Sequence, residues 1–224
     1  MQLRWQPYLM IGLKSLLKFK VKDILWALQK GKISYSRTPT LYNSFISREI
    51  LERIKVKSGS YISASNPDVY VGISVLSELK EYLFSHRPFS VNGASGHSNG
   101  ASFSKNRIEA CVKFNSEIDT PNFEGLKPIK GSVWYYIYES FLISNEQCFK
   151  KNLHFDKKAM VTKIIQEVAT LDPSLYNEAI SNLLESEYLA DLHHFIKKTA
   201  HKNPSKPLTG PPMHLVSNPF VIKL

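Results

Sequence analysis

The chain has 224 residues, 43% hydrophobic and 21% charged, which is an ordinary globular balance with length enough to bury a core. Lysine and arginine outnumber aspartate and glutamate 29 to 19, and the resulting charge of +10 favours anionic partners such as nucleotide diphosphates, phospholipid head groups or nucleic acid. No run approaches the roughly 20 apolar residues of a membrane span, no specific nucleic-acid motif accompanies the scattered basic residues, and the two cysteines, Cys111 and Cys148, lack metal-ligand spacing and fit a reducing compartment.

Met1 to Lys32 is basic and apolar together. Met10, Leu13, Leu17, Ile24 and Leu28 fit a helical stripe, with Lys14, Lys18 and Lys22 between them. Lysines interrupt the apolar part, so it does not read as a signal peptide. Such a helix lies on an anionic membrane surface or packs on its own domain; both readings stand. Gly31 suits its stop. Lys32–Pro39 reads as a connector. Thr40 suits a helix cap, and Leu41, Phe45, Ile46, Ile50 and Ile54 give the next helix an apolar face, ended by Ser58-Gly59.

Tyr61–Ser63 is a short β-prone run, broken by Ser65-Asn66-Pro67, because proline fixes its own φ and pushes Asn66 out of the α region. Asp68 then sits at or just inside a helix start, where free N–H groups and the helix dipole favour a carboxylate. Val69, Ile73, Leu76, Leu79 and Leu83 predict a helix over Asp68–Phe84. Arg87-Pro88 ends it, Phe89-Ser90-Val91 begins a strand, and Gly93, Gly96 and Gly100 punctuate a loop that carries His97, Ser98 and Asn99.

Beyond Phe103 the texture changes. Ile108–Phe114 is a short helical or strand piece, and Asp119–Gly131 reads as a long surface loop. VWYYIYESFLI fits a strand or a buried helix; its continuation into FLISNEQCFKKN favours helix. A helix from Phe155 or Asp156 to Ala169 buries Met160, Ile164, Ile165 and Val168. Asp172-Pro173 opens another, running to about Lys198. The Pro-rich tail from Lys202 is expected to be extended or poorly ordered.

Two residues stand out chemically. A carboxylate at a cleft, such as Asp68, can take a proton from an attacking hydroxyl, and it serves equally as a plain helix N-terminal aspartate. A neutral imidazole such as His97 can complete the coordination of Mg2+ or Mn2+ or contact a diphosphate, and it is equally a loop histidine. Ser98 and Asn99, with Ser95 and Ser102, can hydrogen-bond sugar or phosphate or simply form turns. His193-His194 points to different helix faces and makes a poor metal site. No Walker loop, nucleophile elbow or dinucleotide fingerprint occurs.

The run NPDVYVGIS followed by RPFSVNGASGHSNGAS, preceded by TPTLYNSFISREILERI, resembles the acceptor-side half of inverting family 2 glycosyltransferases of the GT-A fold. The resemblance covers roughly Thr38 to Phe103. It implies an α/β class, a partial GT-A-like portion over 35–112 behind a basic helical lead at 1–34, then a mainly helical extension over 113–201 and a tail at 202–224. It implies transfer of a sugar from a nucleotide-sugar donor to a glycan or lipid-linked hydroxyl acceptor with inversion, with Asp68 as base. His97 would be the metal ligand for Mg2+ or Mn2+, and His97, Ser98 and Asn99 the donor-phosphate contacts. A cytoplasmic place, peripheral to the inner face of a membrane, follows by analogy. The family's Asp-x-Asp motif occurs nowhere in the chain, and the 60 residues before Tyr61 do not read as its nucleotide-binding half. The chain therefore reads as a C-terminal part of a glycosyltransferase, either a fragment or a separate polypeptide, and is expected not to turn over donor alone; in the second case another chain would supply that half. The alternative is a non-catalytic basic module docking on a partner protein or an anionic membrane.

Overall fold

The computed structural model describes residues 16–85, 109, 113, 123–171, 173–204 and 221–222. The fold is a mixed, helix-rich α/β arrangement built around one buried helix.

The lead is a strand followed by a helix, not one long helix. Strand β1 (Leu16–Lys20) precedes helix α1 (Val21–Gln29). β1 pairs antiparallel with β3 (Glu81–Ser85), in the register Leu16↔Ser85 to Lys20↔Glu81. Phe19 stacks on Phe84 at 5.0 Å and meets Tyr82 edge-on at 5.7 Å. Cross-strand aromatic contacts of this kind outweigh a weak local helical period. Ile24 and Leu28 of the expected stripe are buried, whereas Leu17 is exposed on the strand. Gly31, with φ +64°, closes α1: its N–H reaches the Leu28 carbonyl and that of Lys32 the Ala27 carbonyl, both at 2.9 Å.

Thr40 is buried and caps nothing. Leu41 and Phe45 lie before the helix, Phe45 in the two-residue strand β2 (Ser44–Phe45). Helix α2 (Arg48–Ser58) starts after Ser47 and buries Ile50 and Ile54 as expected, and Gly59 ends it at φ +78°. Tyr61–Ser63 is irregular chain, not a strand.

Helix α3 (Pro67–Leu76) is shorter than predicted. The Ser77 and Glu78 N–H groups turn back to the Ser74 and Val75 carbonyls, each at 3.0 Å. The Glu78 carboxylate is held from α2 by Arg53 at 2.7 Å and by Lys57. The chain then enters β3, so Leu83, which continued the apolar stripe on paper, lies on a strand; short apolar runs leave helix and strand periods ambiguous.

Helix α4 (Val133–Phe149) confirms the helical choice for the aromatic run and is buried on almost every side, which makes it the core helix. Helix α5 (Lys157–Val168) is capped by Asp156, whose carboxylate accepts from the Lys158 and Ala159 N–H groups at 3.0 and 3.1 Å, and it buries the four predicted residues. The single long helix expected after Asp172 is interrupted. Helix α6 (Pro173–Glu185) gives way to a 3-10 turn at Glu187–Leu192, and helix α7 (His193–Lys202) follows. The interruption comes from outside: the Tyr188 N–H donates to the Gly125 carbonyl, and the Ser186 hydroxyl accepts from the Lys127 N–H, both at 2.9 Å.

In the tail, β4 (Val221–Ile222) pairs antiparallel with β3 and parallel with β2, giving the sheet order β1-β3-β4-β2. Proline-rich composition said nothing of this pairing. From 108–114, Glu109 and Lys113 are helical. The predicted strand at Phe89–Val91 lies outside the described residues.

Candidate functional site

The mouth of α3 carries the most distinctive chemistry. Asn66 is its N-cap, with the side-chain oxygen accepting from the Val69 N–H at 3.3 Å, and Pro67 occupies the first turn. Asp68 is thus not the cap. Its Oδ1 accepts instead from the Tyr42 N–H, 26 residues earlier, at 3.1 Å. The carboxylate ties the 40–42 segment to the start of α3.

Burial pushes the Asp68 carboxyl above its ordinary value and outweighs the opposing hydrogen bonds from the Tyr42 and Leu41 N–H groups and the Thr40 hydroxyl. The side chain is half-buried and reaches solvent. Burial first, and then the Asp68 charge, raise the nearby Tyr35 phenol. Tyr42, whose N–H makes this contact, is 71% exposed.

Two features fix this geometry. Gly72, one turn along α3, lets buried Thr38 and Thr40 approach: a Cβ there would lie 2.4 Å from Thr38 Oγ1 and 3.4 Å from Thr40 Cγ2. Thr38 is itself locked, because its hydroxyl donates to the Tyr35 carbonyl at 2.6 Å. Beneath the helix, a polar seam joins α3 to α4. The Ser65 hydroxyl donates to Glu139 Oε2, and the Asn66 N–H to Ser140 Oγ at 3.3 Å. Ser74 meets Ser144 at 2.9 Å, and the Tyr70 hydroxyl donates to Gln147 Oε1 at 2.7 Å. Glu139 is 1% exposed, and its Oε1 also accepts from the Tyr135 hydroxyl at 3.0 Å and the Phe123 N–H at 3.4 Å. Burial raises its carboxyl despite these donors.

Comparison with protein-family models, curated proteins and solved structures gave no match.

Of the residues singled out from sequence, Asp68 is therefore placed, half-buried at a helix mouth. His97, Ser98 and Asn99, with Arg87, Ser95 and Ser102, lie outside the described residues. Among the described residues no three His, Cys, Asp or Glu side chains gather where they could hold a metal ion. Asp68 is surrounded by hydrogen-bond donors rather than by other ligands, so the described residues do not fit the Mg2+ or Mn2+ that the resemblance implies. Sequence reasoning passed over Glu139. A carboxylate inside the aromatic run VWYYIYESFLI was the available signal, since a buried carboxylate demands partners. No helix among the described residues is long and apolar enough to cross a membrane.

Proposed function

We propose that this chain supplies the acceptor side of an inverting sugar transfer from a nucleotide-sugar to a hydroxyl acceptor, with Asp68 as the base. The acceptor oxygen attacks the anomeric carbon, the bond from that carbon to the nucleotide diphosphate breaks, and the hydroxyl proton passes to the Asp68 carboxylate. One observation carries the reading. The Asp68 carboxylate is strapped at the helix mouth by residues 40–42, reaches solvent, and has its proton affinity raised by burial. A base tuned upward in this way is better matched to taking a proton near neutral pH. The successive sequence blocks Asn66–Ser74 and Arg87–Ser102 support the same reading by their resemblance to family 2 glycosyltransferases of the GT-A fold.

No Asp-x-Asp occurs in the 224 residues, so in this proposal the donor-binding carboxylates come from a second chain or from further sequence. This chain would contribute His97, with Ser98 and Asn99, toward the diphosphate. Titration of UDP with Mn2+ into the full chain, followed by calorimetry, tests that contribution. Binding is expected in about the millimolar range, severalfold weaker in His97→Ala and unchanged in Asp68→Asn. Binding indifferent to His97→Ala would remove the diphosphate role.

A further inference from the structure

Helix α7 has a face that the proposed transfer does not use. On a 3.6-residue turn, His193, Lys197 and His201 form one row, and His194, Lys198 and Lys202 form the row beside it. All six are exposed. The opposite side packs inward: Ile196 is fully buried, and Phe195, Thr199 and Ala200 are half-buried. The outer half of the helix is thus entirely basic, and the helix contains no acidic residue.

Three carboxylates on the preceding elements are engaged elsewhere, while exposed Glu187 opens the 3-10 turn ahead of α7. Asp191 pairs with Lys157 at 3.0 Å, Glu178 with Lys130 at 2.7 Å, and Glu185 with Lys127. Among the described residues no ion pair reaches Lys197, Lys198 or Lys202. Lys158 of α5 adds a further cation at the edge, 5.8 Å from the Phe195 ring. Like charges four residues apart, such as Lys198 and Lys202, oppose helix formation. An arrangement that repels itself, with no carboxylate paired to its lysines among the described residues, suits an external anion.

We propose that this two-row face of α7 rests on the phosphate head groups of an anionic lipid bilayer. The chemistry of the face selects that partner. It has no exposed aromatic ring on which a nucleic-acid base could stack, and no arginine for bidentate recognition. It has no exposed apolar residue to anchor a protein partner. Flexible lysines on a convex strip suit a diffuse anionic surface. The proposal is independent of the sugar-transfer reading.

Sedimentation of the full chain with phosphatidylcholine vesicles containing about one-third phosphatidylglycerol tests it. Binding is expected to weaken steeply with salt. Each lysine near such a surface strengthens partitioning roughly fivefold, so K197E/K198E/K202E is expected to lose on the order of a hundredfold or more. K197Q/K198Q/K202Q, which adds no negative charge near the helix end, should lose less but in the same direction. The exposed lysines Lys22, Lys30 and Lys80 provide a control of equal charge change. An equal loss in K22E/K30E/K80E would assign binding to net charge and overturn the proposal. So would vesicle binding that ignores the α7 variants, or binding of single-stranded DNA, and not of vesicles, that depends on them.

Discussion

Replacing Gly72 with alanine is expected to destabilise the protein by about 1–3 kcal/mol, the usual range for adding a methyl group to a filled interior. The new Cβ would fall 2.4 Å from Thr38 Oγ1, closer than any real contact. Thr38 cannot swing away, because it is buried, β-branched and bonded to the Tyr35 carbonyl. The 38–42 segment would have to lift from α3, and with it the Tyr42 N–H that holds Asp68. Thermal unfolding of Gly72→Ala, Thr38→Ala and the double variant checks this. Thr38→Ala removes the clashing oxygen, so the alanine at 72 should cost less in that background, giving a coupling within the range seen for residues in contact. Purely additive losses would show that Thr38 is not what excludes a side chain at 72.

Glu139→Ala should cost about 3 kcal/mol or more, because it strips the acceptor from two buried donors, the Ser65 and Tyr135 hydroxyls, and from the half-buried Phe123 N–H. Glu139→Gln keeps the volume and one acceptor oxygen and should cost much less. The two side chains also differ in pH dependence. Burial raises the Glu139 carboxyl above its ordinary 4.5, so the folded state holds this proton more tightly than the unfolded chain does. The stabilisation is complete below the ordinary value and is lost as pH rises through the raised one. Stability of the native protein relative to Glu139→Gln should therefore be greatest in acid and decline with rising pH across that window. A relative gain with rising pH would mean that the carboxylate is held as a charge and that its donors outweigh its burial.

Much of the helical second half was legible because its signals are local. Asp156 is a capping residue followed by an apolar period, and the structure uses it that way. The aromatic run from Val133 is long enough for helix to win over strand. Errors gathered where distant chain decides. Leu16–Lys20 carries a helical stripe but pairs with Glu81–Ser85, and that pairing also cuts short the helix predicted through Phe84. The break near Ser186 depends on donors and acceptors at Gly125 and Lys127, some 60 residues away in the chain. At the site, the Asn66-Pro67-Asp68 turn gave away the helix mouth, whereas its anchors did not announce themselves. Thr40 was read as a cap when it is part of the strap, and Glu139 went unremarked although it is the acceptor beneath the turn.

The most direct test of the account replaces Asp68 with asparagine in the chain's own source cell and measures transfer of labelled sugar from nucleotide-sugars in lysates. The transfer to follow is the one that disappears when the chain is deleted. Asparagine retains an oxygen for the Tyr42 N–H and relieves the buried charge while giving up an acceptor toward Leu41 and Thr40, so the variant should melt close to the native temperature. Transfer should fall by about 10²–10⁴-fold, the contribution of a positioned base. Native transfer rates in Asp68→Asn would contradict the account, as would a loss no larger than a lowered melting temperature explains.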